Sequence, residues 1–498
     1  MKWFSFAMML AILAAMLLGL SRLGGQTFAQ SIPAHSEPPQ AETARPATKK
    51  LPWERLRTRN SEPILRPPAS PREILERYDI GPSQLDSFVQ GQPLGPGEED
   101  VLAKILFRFS RLGLDNIQRW TKKNVAWDQL AAAPNDYRAE FFSLRGRVTR
   151  VEEHPLLPEL AELLEFDRYY RVTLELDDAP YQALICTRQV PEAWAVGQTI
   201  DQPAAADGLF LKLGGGEGTA AQLIFAAGRV AWLPDRPQPQ QFVGPDQIAL
   251  AGLGFDVGLF DDVRQGNGQG LLGTDREAFY QLLAALGRAD ESGQTLAKGK
   301  PLNVVPLIEK PQEHHGDFLV VQGIARRITK IPVSDADVRR RFGIDHYYEI
   351  DLFVPLGDKT LRFGKPAAGE QAPVFRNSFP VTLVARKLPP GVPEGDNLAE
   401  PLRAEAVFFK LWAFRSTYMS QFDRPQPAPL VIGFEPQIVQ LSSPSYWISN
   451  ALVGAALGMA LVVIVVVFFW YRGSDGHDRA ARRNALQHEQ RPPDFSQL

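Results

Sequence analysis

The sequence predicts an α+β, mainly β protein: two tandem OB-like small barrels, each preceded by a short helical segment, and one C-terminal transmembrane helix. Three observations carry this expectation. The two halves of the body repeat one another in order, the apolar runs that follow each helical segment have strand length, and Ile448 to Trp470 is 23 residues without a charge. Composition sets the outer bounds. At 498 residues and 44% hydrophobic there is room for two or three domains. With 54 Lys+Arg against 57 Asp+Glu, the chain is not a globally basic nucleic-acid coat. A lone cysteine, Cys186, excludes an internal disulfide framework and every multi-cysteine metal site.

Residues 1–29 read as a secretory signal. Lys2 begins it, Trp3 to Leu20 is apolar apart from Ser5 and Gly19, and Thr27-Phe28-Ala29 places small residues for a cut before Gln30. An uncleaved anchor is the alternative. Residues 30–74 follow as a stalk, in which Pro33, Pro38, Pro39, Pro46, Pro52, Pro63, Pro67, Pro68 and Pro71 stand among polar residues. That composition favours an extended, polyproline-like chain without a core.

The first repeat is expected over 75–236 and the second over 250–437, divided by the Pro-rich junction at Leu233-Pro-Asp-Arg-Pro-Gln-Pro-Gln. Tyr78-Asp79-Ile80 opens one and Phe255-Asp256-Val257 the other. Leu102, Ile105, Leu106 and Phe109 recur as Phe279, Leu282, Leu283 and Leu286 at an offset of 177, which predicts one apolar helix face in each repeat. Phe141 to Val148 matches Phe318 to Ala325 at the same offset, so Gly146 stands opposite Gly323. Asp167-Arg-Tyr169-Tyr170-Arg-Val-Thr-Leu then matches Asp345-His-Tyr347-Tyr348-Glu-Ile-Asp-Leu, and Phe210-Leu-Lys212 matches Phe408-Phe-Lys410. Strands are expected around Val148 and over Tyr170–Leu176, Tyr181–Thr187, Leu209–Leu213 and Leu223–Trp232. Gly146 falls mid-strand, where a missing side chain permits a bulge or bend. Five short strands with a helical insertion fit an OB-like barrel better than another small barrel or sandwich.

Residues 446–471 are expected to span a membrane once, with Tyr446 and Trp447 at one interface and Trp470 and Tyr471 at the other. Arg472, Arg479, Arg482 and Arg483 follow the span, and no basic residue separates Arg424 from it. The positive-inside rule therefore puts the tail, 472–498, in the cytoplasm and the body outside. Gly454 and Gly458 form a small-xxx-small step that would let two such helices pair into a homodimer. This layout of signal, stalk, tandem barrels and C-terminal span resembles envelope proteins of planctomycete-type bacteria. The resemblance implies a location and not an activity.

Sites that a mechanism would need are absent from the pattern. No GxxxxGK[ST] or GxSxG motif occurs in the body, and Gly214-Gly-Gly-Glu-Gly218 reads as a flexible hairpin. Cys186 lies in the apolar run Ala183-Leu-Ile-Cys and is expected to be buried and inert. His314 and His315, with Glu313 and Asp317, have metal-ligand chemistry but are expected on a surface loop beside Gly316. Asp335, Asp337, Asp345 and Asp351 lack the spacing of a known Ca²⁺ loop and have Arg339-Arg-Arg341 among them. No metal, cofactor or catalytic residue is therefore assigned.

The paired tyrosines Tyr169, Tyr170, Tyr347 and Tyr348 are the candidate ligand-binding residues. At the start of a strand, one ring of each pair faces the core and the other faces out, where an OB-like face can stack a base or a sugar. The alternative is purely structural packing. Arg168 and Arg171 give way to His346 and Glu349, so no shared phosphate contact is expected, and the acids interleaved with Arg145, Arg147 and Arg150 argue against nucleic acid. The sequence thus points to a non-enzymatic, membrane-anchored envelope protein that binds or scaffolds another protein. A glycan or small-ligand receptor is the alternative.

Overall fold

The computed structural model describes residues 67–215, 222–292, 299–357, 359–362, 374–414, 426–439 and 455–470. The expected signal, most of the stalk, Gly216 to Gly218 of the glycine run and the tail lie outside these residues. The body is a mixed α/β arrangement, mainly β, built on two multi-stranded sheets.

Among the described residues six short helices come first: α1 (Pro71–Glu76), α2 (Pro82–Leu85), α3 (Pro96–Arg108), α4 (Leu114–Trp120), α5 (Trp127–Ala132) and α6 (Pro134–Tyr137). The first of these covers residues 71–74, which fall within the segment expected as stalk. Pro71 is pre-organised for a first helical turn, Ser70 caps it by accepting from the Glu73 N–H at 3.2 Å, and Ile74 and Leu75 are buried. In α3, Leu102, Ile105 and Leu106 are buried, as their spacing predicts.

The first sheet comprises β1 (Phe141–Pro155), β2 (Arg168–Leu176), β3 (Gln182–Thr187), β4 (Thr199–Gly214), β5 (Gln222–Ala226) and β6 (Ala231–Trp232), with α7 (Pro158–Leu164) between β1 and β2. Strand order is β1-β2-β3-β5-β4-β6, and β4 also pairs with β1. β3 and β5 run parallel, while the other neighbours are antiparallel. β4 starts ten residues before the expected Leu209. Its early half, with Pro203 and three alanines in a row, has no strong pattern of its own and is held by pairing with β1 from Phe141 to Arg150. The run Leu223–Trp232 breaks into two strands where Gly228 passes under the Phe109 ring.

The second half repeats this plan. Helices α8 (Pro245–Gly252), α9 (Phe260–Gln265), α10 (Asp275–Glu291) and α11 (Val304–Glu309) accompany β7 (Lys300–Pro301), β8 (Phe318–Pro332), α12 (Ala336–Phe342), β9 (His346–Pro355), β10 (Leu361–Arg362), β11 (Val374–Phe375), β12 (Ser378–Ala385), β13 (Gly395–Phe414), β14 (Gln426–Gly433) and β15 (Gln437–Ile438). The order is β15-β13-β14-β12-β9-β8-β7, β13 also pairs with β8, and β12 and β14 are parallel. β10 and β11 form a separate two-stranded pair.

Gly146 and Gly323 hold equivalent places. A Cβ on Gly146 would sit 1.9 Å from the Glu175 carbonyl oxygen, and one on Gly323 2.5 Å from that of Phe353. Glycine there lets β1 and β8 close on their partners, and a register shift follows in each strand, at Val148/Arg150 and Ala325/Arg327.

One face of the first sheet, with Tyr169, Cys186, Leu209 and Ile224, packs under the helices that precede it. Its other face, with Phe142, Leu174 and Phe225, belongs to a large core that continues through α8 to α10 onto Tyr347, Phe409 and Ile432 of the second sheet. The remaining face of the second sheet, with Val321, Ile350, Leu383 and Phe408, encloses a core of its own. Residues 446–454 and 471 of the expected span lie outside the described residues. Residues 455–470 form a helix, α13, with most aliphatic side chains exposed; among the described residues no helix is long and apolar enough to cross a membrane.

Candidate functional site

Both tyrosine pairs open a second strand, and the alternation of that strand separates the rings. Tyr169 and Tyr347 are each only 1% exposed. Tyr169 lies beneath α3, where its hydroxyl meets the Arg171 guanidinium at 2.7 Å and Glu99 at 3.3 Å, and the His154 ring stacks on it at 5.6 Å. Burial pushes the Tyr169 phenol well above its usual range. Tyr347 lies beneath α10, edge-on to Phe279 at 5.5 Å and to Tyr280 at 6.4 Å. Tyr170 and Tyr348 are half-buried at the rims of the two cores, with Lys330 Nζ 5.8 Å from the Tyr348 ring. One ring of each pair, Tyr169 and Tyr347, is thus covered by the long helix that precedes its sheet, while Tyr170 and Tyr348 keep partial exposure.

The charges beside the tyrosines are also committed locally. Arg171 pairs with Glu99, and Arg168 pairs with Glu153 and Asp167 at 3.2 Å each. In the second half, Arg327 lies 3.4 Å from Glu349 and 2.8 Å from Asp351. Cys186 is fully buried, and burial pushes its thiol up to about 12, so it is an inert core side chain as its strand setting implies.

His315 corrects the surface-loop expectation. It is 1% exposed, stacked between Phe260 and Phe408 with ring centroids at 5.9 and 5.6 Å. Its Nδ1 lies 2.6 Å from the Phe409 carbonyl and its Nε2 2.9 Å from the Asn267 amide nitrogen. Desolvation lowers its pKa to about 3, so the ring is neutral, donating from Nδ1 and accepting at Nε2. Gly316 makes this possible: with φ at +87° it turns the chain inward, and a Cβ there would meet Phe260 at 2.9 Å. His314 remains half-buried, with Nδ1 2.8 Å from Asp317.

The four aspartates are not gathered. Asp335 and Asp337 sit at the start of α12 and both take Arg276, the second at 2.9 Å, whereas Asp345 is exposed and Asp351 belongs to Arg327. Arg341 pairs with Glu277, Arg340 pairs with Asp115 of α4, and the Asp115 N–H donates to Asp337 at 2.9 Å. This network joins the two halves. Among the described residues, no group of three or more His, Cys, Asp or Glu is placed to hold a metal ion.

Pattern alone did not single out two buried ion pairs. Lys212 Nζ lies 2.7 and 2.8 Å from the Glu98 carboxylate in the first turn of α3, and Lys410 Nζ lies 2.8 Å from Asp275 at the start of α10. Each lysine follows a register shift in its strand, after Phe210 and Phe408. The signal was present as a lysine inside the same apolar strand of both repeats. A cleft of about 360 Å³ opens between β1, β4 and α8, beside Arg145, Arg147, Leu233, Asp235 and Ile248. Arg147 is held by Asp201 and Asp235, while Arg145 is exposed and makes no ion pair among the described residues.

No family model matches the chain, and no curated protein matches it. Among solved structures it is similar to the aspartyl-tRNA synthetase from Entamoeba histolytica, at 11% identity over 48% of this chain and 51% of that one, with a TM-score of 0.15. It is similar also to the protein assigned as an aspartyl-tRNA synthetase in Leishmania major Friedlin, at 8% identity over 48% and 47%, with a TM-score of 0.16. The chain spans about half the length of each. Likeness at this level assigns neither a fold nor a role.

Proposed function

We propose that the chain is a non-enzymatic, membrane-anchored envelope protein whose two sheet-and-helix modules lie outside the cytoplasm and bind or scaffold another protein. Each sheet is read as an OB-like small barrel arising by duplication. That reading is supported by the return of β4 to β1 and of β13 to β8, and by the parallel pairs β3/β5 and β12/β14. The anchor is read from Ile448 to Trp470, and the exposed Leu461, Ile464 and Phe468 of α13 suit a hydrocarbon surrounding. The function itself is carried by one observation. Tyr169 and Tyr347 lie beneath α3 and α10, so the faces that would stack a small ligand are filled by the chain's own helices.

The test is crosslinking of the full-length chain in its own membranes. A reproducible protein adduct is expected; adducts to glycan alone, or none that recur, would overturn the reading. Orientation is read in the same cells with a membrane-impermeant maleimide, because buried Cys186 gives no background. Ser83→Cys in the body should label in spheroplasts and Gln497→Cys in the tail only after lysis; the reverse order would invert the topology. A glycan or small-ligand receptor has its support in the cleft beside Arg145, and Arg145→Ala would then abolish binding without loss of fold.

A further inference from the structure

Both halves place a short helix between their first two long strands, and they use it differently. In the second half α12 is an interface: Val338 is buried, Arg340 pairs with Asp115 of α4, and Arg341 pairs with Glu277. In the first half α7 holds the equivalent place and lies against α3, but Leu164 is its one fully buried side chain. Leu157 and Leu163 are 67% and 69% exposed, the most exposed leucines among the described residues, those of α13 included. From Leu157 to Asp167 there are four carboxylates and no cation. Glu159, Glu162 and Glu165 make no ion pair among the described residues, and Arg168 is already taken by Glu153 and Asp167.

We propose that α7 with Leu157 is a docking surface for a partner protein, engaged through a basic segment that also carries apolar side chains. This rests on the protein-binding reading above and names the partner's chemistry. Two exposed leucines supply the apolar contact, and the carboxylates around them select a positive partner and speed its approach. A lipid surface fits poorly, because anionic headgroups would be repelled by the same carboxylates. A second copy docking through α12 fits poorly as well, since Arg340 and Arg341 are committed within their own chain.

The probe is a fluorescent 14-residue amphipathic Leu/Lys peptide, titrated by anisotropy onto the full chain in neutral-lipid nanodiscs. Binding is expected to weaken about ten-fold in the double variant Leu157→Ser/Leu163→Ser and to fall with salt. Both leucines are exposed, so the variant should keep the wild-type circular dichroism. Equal binding by the variant, or equal binding of a Leu/Glu peptide, overturns the proposal. In membranes, a photocrosslinker at position 163 should attach to a partner segment rich in Lys or Arg; attachment to lipid, to this chain or to an acidic segment overturns it too. The two levels separate cleanly. Protein capture that survives the double substitution sinks the α7 surface alone, whereas no capture from any position sinks the protein-binding reading.

Discussion

At the scale of the residue, the buried polar groups behave as structure. Lys410 and Asp275 are both fully buried and face each other, and Lys212 with Glu98 repeats the arrangement. A charge so placed is tolerated only with its partner, which ties the start of each long helix to the sheet it covers. His315 makes a pH-dependent contribution whose sign is fixed by its environment. In the unfolded chain it takes a proton below 6.5, but in the fold only below about 3. Between these values the unfolded state binds more protons, so stability is full above 6.5 and falls as the pH drops toward 3. His315→Phe keeps a ring between Phe260 and Phe408 but loses the bonds to Phe409 and Asn267, and should be less stable at pH 7.5 by about 2 kcal/mol. In urea titrations the gap between wild type and variant should narrow by pH 4.5, since only wild type carries the histidine penalty. A gap that holds constant would mean that the folded protein protonates His315 freely.

At the scale of the element, glycine decides how the strands bend. Gly146→Ala drives a Cβ into the Glu175 carbonyl and should cost about 3 kcal/mol or more; Gly323→Ala, with more room, should cost less. Gly97 in the first turn of α3 has open space around it, so Gly97→Ala should be neutral or gain about 0.5 kcal/mol. Thermal midpoints in that order would support the close approach, and a mild Gly146→Ala would refute it. The mid-strand glycines were legible in the sequence, as were the helix faces at Leu102 to Phe109 and Phe279 to Leu286, because each has a local period or repeats at a fixed offset. The early half of β4 was not, since Pro203 and the three alanines after it become strand only through pairing. Nor was the fate of the tyrosines. Alternation places Tyr169 and Tyr170 on opposite faces, but which face is covered depends on where α3 lies, and that is a property of packing between elements.

At the scale of the molecule, the Pro-rich junction near residue 234 is not a free linker. Asp235 pairs with Arg147 at 2.7 Å and Arg236 with Asp201 at 2.7 Å, so the junction is fastened to the first sheet. Below it the core runs without a break from Phe142 and Phe225 through Leu250, Phe260 and Phe279 to Phe409 and Trp412. Halves that share a core cannot lose one without exposing the other, so the body should unfold in one cooperative transition. Two substitutions test this from opposite ends. Gly146→Ala strikes the first sheet, and Lys410→Met strikes the second by leaving the Asp275 carboxylate buried without its cation, at a cost of about 3–5 kcal/mol. With 5-fluorotryptophan in the chain, fluorine NMR can follow Trp232 in the first sheet and Trp412 in the second through the same urea titration. Both resonances should move together in wild type, and each substitution should shift both to the same lower midpoint. If Lys410→Met lowered the Trp412 midpoint and left that of Trp232 in place, the two halves would be separate folding units, and the continuous core would be a contact between domains.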